Sequence, residues 1–442
     1  MKRLLFLFLL APSLLWGQFP ARKEIREVQR VTRELQREYD VVLDPIEQIG
    51  ISPRSIDDLE TGNWGNQALE TDRFFDEIYR RATRRVHVYI FDTAGKWGHD
   101  ALRFVEREGA TFTGETDPLD GNGHSTHCAG IIGGVTSWPL GAARALIEKE
   151  LLHLYPVKVL NNSGAGSYSS ITNAVTWVNE RAKKHIQTGD FVIYSMSLGG
   201  SSTSSSLTAA LVEASRIGVF TVAASGNTGG KGVNFPGSSQ GVRAIAALQN
   251  TNPLTRASFS TTGPEVWGAY PGQSILSAYK NNEYATLSGT SMATPHAAAM
   301  AAIAASVYTT FNALQIATLL EKVSTDLDPK GRDENTGYGV ALAGAILAYQ
   351  GGTPIPDPNP EPPKPVEPVK PERAQSFTFS DPFTVTWGRQ GSNDFQKISF
   401  RLGVTWKNTY VAPTAKKKIQ EAIAGHFTNR GYYLRPDDDE AD

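Results

Sequence analysis

The sequence predicts an α/β protein with a doubly wound, mostly parallel sheet, followed by a small C-terminal α+β module. Two observations support this prediction. Apolar strand-like runs alternate with helical stretches through the middle of the chain, and a proline-rich segment separates that region from a shorter one with period-two patterning. The chain has 442 residues, of which 40% are hydrophobic, so it is long enough to bury a large core.

Residues 1–17 have the features of a secretory signal peptide. Lys2 and Arg3 precede an apolar run that is too short to span a bilayer comfortably, and the run ends at Gly17. No later stretch approaches the ~20 apolar residues that a spanning helix needs. We therefore expect a secreted protein, extracellular or periplasmic, without a membrane span.

Residues 18–60 form an N-terminal segment whose most regular part is charge-rich. Ile25, Val28, Val31 and Leu35 recur there at intervals of three or four residues, which predicts an amphipathic helix. The segment is either a short propeptide or a surface helix, and the sequence leaves both interpretations open.

Residues 61–350 form the predicted α/β domain. Its helical stretches include residues 170–184 and 207–217. The buried strands between the helices are predicted at residues 86–92, 155–160, 190–198, 218–225 and 242–248. In a doubly wound sheet, ligands bind where the strands end and the loops begin.

A linker and a small module complete the chain. The linker, residues 351–374, holds nine of the 25 prolines and should be a stiff, extended spacer. In the module, residues 375–442, alternating apolar residues at 383–387 and 398–406 predict a hairpin. A helix is predicted near 419–427, before an acidic tail.

Charge and cysteine content exclude some classes of function. The formal net charge is -2, so no strong field favours nucleic acid or an anionic membrane surface. The single cysteine, Cys128, cannot form a disulfide within the chain.

The stretch DGNGHSTHCAG, residues 120–130, places His124 and His127 three positions apart, directly before Cys128. A zinc site would need a further pair of ligands downstream, and the sequence offers none at the usual spacing. We therefore predict no metal here. The two histidines are then both structural, or one of them is a general base.

Three other stretches carry polar residues at the ends of strands or the start of a helix. Asp92 ends a buried strand, Asn227 follows another in AASGNTGG, and Ser291 begins a helix in SGTSMATPHAAA. Each residue has an ordinary structural explanation alone, as a turn former or a helix cap.

Taken together, these four stretches resemble the subtilisin-like serine proteases, the subtilases. The resemblance runs from about Trp64 to Tyr349 through VYIFDTAG, DGNGHSTHCAG, SMSLGG, AASGNTGG and LSGTSMATPHAAA. The cysteine after the second histidine makes the motif style closest to the proteinase K-like branch.

The resemblance implies a Ser/His/Asp hydrolase that attacks peptide bonds. Ser291 would be the nucleophile, His124 the general base and Asp92 the residue that orients His124. Asn227 and the backbone N–H of Ser291 would form the oxyanion hole. His127 would be structural, and Cys128 a buried thiol that heavy metals can reach.

The same resemblance implies where an extended substrate binds. Two segments match the family's substrate-binding segments: Ser197, Leu198 and Gly199, and Ala224, Ser225 and Gly226. Their small and apolar residues predict a broad apolar or aromatic preference before the cut. We expect a monomer that acts on protein or peptide substrates and binds no nucleic acid.

Two residues depart from the family pattern near the catalytic residues. Ala94 and Ser125 stand where the family usually has glycine. The methyl group of Ala94 would cause strain if that position needed a positive φ. The family resemblance implies no required cofactor, and structural calcium is the one ion it suggests.

The main alternative function is a catalytically weak or inactive subtilase-like protein that binds peptides. An esterase with the α/β-hydrolase fold is a poorer match, because that fold places its serine first in chain order and here it comes last.

Overall fold

A parallel sheet forms the centre of the computed structural model, which describes residues 41–42, 64–135, 140–327, 329–350, 385–389 and 432–436. The strands are β1 Val41–Val42, β2 Val86–Asp92, β3 Ala110–Thr111, β4 Leu152–Lys158, β5 Ala165–Gly166, β6 Phe191–Met196, β7 Phe220–Ala224, β8 Val242–Gln249, β9 Thr255–Arg256, β10 Val266–Pro271, β11 Ile275–Tyr279, β12 Glu283–Leu287, β13 Ser324–Thr325, β14 Val340–Ala341, β15 Val385–Arg389 and β16 Tyr432–Pro436.

Helices separate several of the strands, as the pattern predicts, but among the described residues no α-helix lies between β7 and β12. They are α1 Trp64–Ala68, α2 Phe75–Arg81, α3 His124–Gly133, α4 Arg144–Ile147, α5 Tyr168–Gln187, α6 Ser205–Arg216, α7 Thr290–Val307, α8 Ala313–Val323 and α9 Ala343–Ala348, with 3-10 turns at Asp100–Leu102 and Lys280–Asn282.

The main sheet has the order β10-β8-β7-β6-β2-β4-β3. The short strand β9 pairs antiparallel with the carboxyl end of β8. The pairs along this path are parallel. The chain order reverses at β2, which lies between β4 and β6. The predicted doubly wound, mostly parallel sheet is confirmed, and the switch point places Asp92, at the carboxyl end of β2, where such sheets bind ligands.

Both faces of the sheet are covered, which explains the continuous apolar runs in its strands. In β2, Val88 and Ile90 pack into the core on one side, while Tyr89 and Phe91 pack into the core on the other. α7 is buried from Thr290 to Ser306, so it passes through the interior.

The strand boundaries differ from the prediction mainly at β4. This strand begins at Leu152, three residues before the predicted start, and pairs with β2 from Val86↔Leu152 to Asp92↔Lys158. His153 and Tyr155 are only half-buried, and these polar side chains interrupt the apolar run by which a buried strand is recognised in a sequence.

The chain divides into two compact units, residues 1–357 and 358–442. In the second unit, β15 pairs antiparallel with β16. The partner strand predicted at 398–406 lies outside the described residues, as do the predicted helix near 419–427, the linker and residues 1–17. Among the described residues, no helix is both long and apolar enough to cross a membrane.

Candidate active site

Asp92 and His124 meet at the carboxyl end of β2. The Nδ1 atom of His124 lies 2.8 Å from one carboxylate oxygen of Asp92 and 2.9 Å from the other. Both side chains are buried, and the backbone N–H of Thr93 donates to Asp92 at 2.7 Å. Burial alone opposes the charged imidazolium, but the adjacent Asp92 carboxylate raises the pKa of His124 well above its usual value.

A buried carboxylate holds the loop that carries His124. Asp120 accepts hydrogen bonds from the N–H groups of Asn122, Gly123 and Thr126 and from the hydroxyls of Thr93 and Thr126, at 2.6–3.2 Å. Gly123 has a φ of 101°, which favours glycine, and an added Cβ would lie 2.5 Å from the Tyr279 ring. These contacts fix the start of α3 and therefore the position of His124.

A buried lysine supports the same region from β4. Lys158, paired with Asp92 in the β2–β4 register, donates its Nζ to the carbonyl of Thr93 and, at 2.8 Å, to Oδ1 of Asn162. Its Nζ also lies 3.1 Å from a carboxylate oxygen of Glu115, which compensates the buried charge.

Ser291 lies at the start of α7 and exchanges two hydrogen bonds with Ser197. Its Oγ donates to the Ser197 carbonyl at 3.1 Å, and the Ser197 Oγ donates to the Ser291 carbonyl at 2.8 Å. The Cys128 Sγ lies 3.5 Å from the Ser291 carbonyl oxygen and 4.0 Å from the His124 Nδ1. The fold therefore brings Ser291 and His124 into contact with the same thiol.

Asn227 is oriented by the residue that precedes Ser291. Its Oδ1 accepts from the backbone N–H of Thr290 at 2.8 Å and from the Thr290 hydroxyl at 2.9 Å. The carboxamide oxygen is thus used within the protein, and the amide nitrogen is directed away from Thr290. This arrangement suits a hydrogen-bond donor beside Ser291.

The two predicted substrate-binding segments lie next to each other. Gly200 exchanges two backbone hydrogen bonds with Phe235, at 2.8 and 3.0 Å, and the N–H of Asn234 donates to the Ser225 carbonyl at 2.9 Å. An added Cβ at Gly199 or Gly226 would lie 2.9 Å from an Asn234 side-chain atom. Of the six predicted residues, Gly199 is half-buried. The other five are buried: Ser197, Leu198, Ala224, Ser225 and Gly226.

The sequence did not predict the short strand β5 or its pairing with the N-terminal segment. β5 pairs antiparallel with β1, in the register Val41↔Gly166 and Val42↔Ala165. Part of the chain's own N-terminal segment therefore lies along β5 in an extended conformation.

His127 and Cys128 have structural surroundings. The Nε2 atom of His127 contacts the carbonyls of Ile275 and Ala285 at 3.1 and 3.0 Å, and burial lowers the pKa of His127 to about 3. Cys128 is fully buried, and burial raises the pKa of its thiol.

The two departures from the family pattern are accommodated. Ala94 is fully buried and is not among the described residues with a positive φ, so its methyl group causes no backbone strain. The Ser125 Oγ accepts a 2.9 Å hydrogen bond from the buried Trp97 indole N–H. The Ser125 hydroxyl, which a glycine would lack, therefore serves as the acceptor for a buried donor.

Among the described residues, two clusters have three potential metal ligands within 4.8 Å of one another: Asp92, His124 and Cys128, and His87, His185 and Asp190. Neither has the all-oxygen ligand set that Ca²⁺ prefers. Structural calcium therefore stays a prediction.

Sequence reasoning missed Thr290, Lys158 and β5. Thr290 looked like part of a helix start, and Lys158 looked like one polar residue in an apolar strand. The role of Lys158 follows from the sheet register, and the role of Thr290 follows from the approach of α7 to Asn227.

The chain matches known proteins over the region that holds these residues. The Subtilase family profile matches residues 88–339. Subtilisin DY from Bacillus licheniformis is 38% identical over 275 residues, which are 61% of this chain and 93% of that protein. A thermostable alkaline protease from Halalkalibacterium halodurans is 37% identical over 289 residues, 64% of this chain and 73% of that protein.

A solved structure shows the same fold. Sphericase aligns with a TM-score of 0.53 and 28% identity, covering 63% of this chain and 97% of its own. These relatives do not single out the proteinase K-like branch, which stays a prediction. Because the family profile covers more than half of the sequence, the chain belongs to the subtilase family and is a subtilisin-like serine endopeptidase.

Proposed function

We propose that this secreted enzyme cleaves peptide bonds with Ser291 as nucleophile, His124 as general base and acid, and Asp92 as the group that orients His124. Ser291 attacks the scissile carbonyl while His124 takes its proton. His124 then gives that proton to the leaving amine, and water hydrolyses the acyl-enzyme by the reverse proton transfers.

The contact of His124 Nδ1 with both oxygens of the buried Asp92 supports this mechanism most strongly. It fixes the ring through one nitrogen and turns the other away from the carboxylate, which is the geometry that a general base requires. The amide nitrogen of Asn227 and the backbone N–H of Ser291 then stabilise the oxyanion.

An extended substrate is proposed to bind between β5 and the segment Leu198–Gly199. The pairing of β1 with β5 supports this, because an edge that accepts one extended strand can accept another. The pocket before the cut would be walled by Ala224, Ser225 and Gly226, which bring no charge. Large apolar or aromatic side chains should therefore be preferred.

The N-terminal segment 18–60 is proposed to block this edge until it is removed. A peptide of residues 18–60 should inhibit the processed enzyme, and its inhibition should weaken when Val41 and Val42 are both replaced by proline, which cannot donate to the strand pairing. Equal inhibition by the two peptides would contradict this role.

The deciding experiment uses denatured casein and compares the processed enzyme, freed of residues 18–60, with a Ser291→Ala variant freed of the same residues; fragment ends are identified by mass spectrometry. We expect fragments only from the enzyme that keeps Ser291, with cuts after large apolar residues. Strict cleavage after paired basic residues would refute the proposed preference. Equal, negligible proteolysis by both proteins would instead favour the inactive peptide-binding alternative.

A further inference from the structure

A second cluster of titratable side chains lies at the other end of β2 from Asp92. His87 is the second residue of β2, about 16 Å along the strand from Asp92 at ~3.3 Å per residue. His185 lies in the last turn of α5, and Asp190 directly precedes β6. The proposed peptidase mechanism uses none of these residues.

The three side chains are close enough to share one ion. The Nε2 atom of His87 lies 2.9 Å from Oδ2 of Asp190, and one ligand atom from each of His87, His185 and Asp190 lies within 4.8 Å of the others. Two imidazoles and one carboxylate form a ligand set that Zn²⁺ uses with a fourth ligand from water. Ca²⁺ instead prefers oxygen ligands throughout.

Each of the two histidine rings has one nitrogen that contacts a tyrosine hydroxyl. The Tyr155 hydroxyl lies 2.9 Å from Nδ1 of His87, and the Tyr89 hydroxyl lies 3.1 Å from Nε2 of His185. Metal-binding histidines commonly donate their second ring N–H to such a partner, which fixes the tautomer. In the metal-free protein the Nε2–H of His87 donates to Asp190, so a bound ion would replace that proton while the ring donates from Nδ1 to Tyr155. In the same way, donation from Nε2 of His185 to Tyr89 would leave Nδ1 of His185 for the ion.

The cluster is open to the solvent on the Asp190 side. Asp190 lines an open cleft of about 410 Å³ together with Arg85 and Thr188, which gives an ion a path to it. The rings of His87 and His185 are stacked 3.7 Å apart at an angle of 18°, so one ring must turn for both nitrogens to face one ion. His185 is half-buried at the end of its helix, whereas His87 is buried, so His185 is the ring with room to turn.

We propose that His87, His185 and Asp190 form a binding site for Zn²⁺ or a similar transition-metal ion that braces α5 and the start of β6 against β2. Arg85, whose guanidinium lies 3.6 Å from Asp190 and is half exposed, would be displaced into the solvent by the ion. The site is structural, because it lies at the opposite end of the strand from the catalytic aspartate.

The test must exclude the other three-ligand cluster, which includes the catalytic histidine. We would use the full chain carrying His124→Ala and no histidine tag, because that change removes one ligand of the second cluster and also prevents self-digestion. Zn²⁺ binding is measured by titration calorimetry, and the thermal midpoint is followed with Zn²⁺ and with Ca²⁺.

We expect one Zn²⁺ per chain, a higher thermal midpoint with Zn²⁺, and no such change with Ca²⁺. In that background, His185→Gln and Asp190→Asn should each weaken Zn²⁺ binding at least about tenfold, and Tyr89→Phe should weaken it about tenfold through the lost ring partner. His153→Gln is the matched control, because His153 packs edge-on against His87 at 5.2 Å but is not in the ligand set, and it should bind Zn²⁺ like the parent.

Circular dichroism would verify that each variant is folded. If one of the two ligand variants does not fold, the other still tests the proposal. Absence of Zn²⁺ binding to the parent would overturn the proposal. So would unchanged binding in the folded ligand variants, or an equal loss in His153→Gln.

Discussion

His124 directs one ring nitrogen at both carboxylate oxygens of Asp92, at 2.8 and 2.9 Å, inside a buried pocket. The carboxylate therefore holds the ring in one orientation and favours its protonated form. In the proposed mechanism, the contact that positions His124 also makes it a stronger base, which should have a measurable effect on the pH dependence of the reaction.

The pH dependence of kcat/KM should show a rising limb above the ordinary histidine pKa of about 6.5. The proposed reaction needs neutral His124. Burial lowers the pKa of His124, but the Asp92 carboxylate more than offsets this, so the base becomes neutral only at higher pH. In Asp92→Asn the limb should move to lower pH and kcat should fall by about 10⁴-fold. A limb that stays in place in this variant would show that Asp92 does not control the base.

Replacing Asn227 should lower kcat with little change in KM. Asn227→Ala removes the proposed oxyanion donor, and the expected loss is about 10²–10³-fold, the size established for an oxyanion-hole asparagine in a subtilisin. Thr290→Val is the companion variant. The Thr290 hydroxyl acts indirectly, because it donates to the Asn227 carbonyl oxygen and accepts from the Gly226 N–H, so its loss should cost less. Steady-state kinetics on a peptide substrate separates kcat from KM. A change confined to KM would contradict the role.

Ser125→Ala should destabilise the protein by about 1–3 kcal/mol, because it leaves the buried Trp97 indole N–H without its acceptor. Urea unfolding of chains that also carry Ser291→Ala measures this without self-digestion. In a Trp97→Phe background, which has no indole N–H, the same serine change should cost clearly less. Equal costs in the two backgrounds would mean that the hydrogen bond contributes nothing.

Mercuric ion should inactivate the enzyme through Cys128, the single cysteine of the chain. A mercury atom on this thiol would lie next to both His124 and Ser291, since an atom of each is within 4.0 Å of the sulfur. Iodoacetamide should act slowly, because burial raises the thiol pKa and little thiolate forms. Cys128→Ala should stay active with either reagent, and its inactivation by mercury would place the target elsewhere.

Stability should fall steeply in acid. Burial lowers the pKa of His127 to about 3 and that of His296 to about 4, so the folded protein keeps both rings neutral while the unfolded chain protonates them below about pH 6.5. Unfolding is therefore coupled to proton uptake, and the free energy of unfolding decreases as pH falls from 6.5 towards 4, by on the order of 3 kcal/mol for His127 alone.

Urea titrations of the Ser291→Ala chain across this range would measure that slope. His127→Gln should be less stable at neutral pH but should lose less stability on acidification. An unchanged slope in this variant would exclude His127 as a source of the acid sensitivity.

Local patterns were enough to predict the elements that carry the proposed catalytic residues. An unbroken apolar run predicted that a buried strand ends at Asp92, and small residues after a glycine predicted the helix that starts near Ser291. The sequence could not predict the supports of these residues. Lys158 reaches Thr93 only because of the β2–β4 register, and Thr290 reaches Asn227 only because α7 passes through the core.

The C-terminal module shows the same limit. Alternation predicted a strand at residues 383–387, and the observed strand, Val385–Arg389, overlaps it. Its observed partner, Tyr432–Pro436, has two adjacent tyrosines and no alternation to reveal it. Pairing between distant strands depends on which edges meet, and short segments carry little information about that.

The five hydrogen bonds that Asp120 accepts come from its own loop, from the first turn of α3 and from Thr93. In the proposed mechanism the general base, His124, is therefore preorganised in the free enzyme, and substrate binding does not have to position it. Preorganisation of this kind acts on any polypeptide that reaches the site. Under the proposed mechanism, selectivity then comes from how well a chain unfolds and extends along the cleft and from the side chain that enters the proposed pocket.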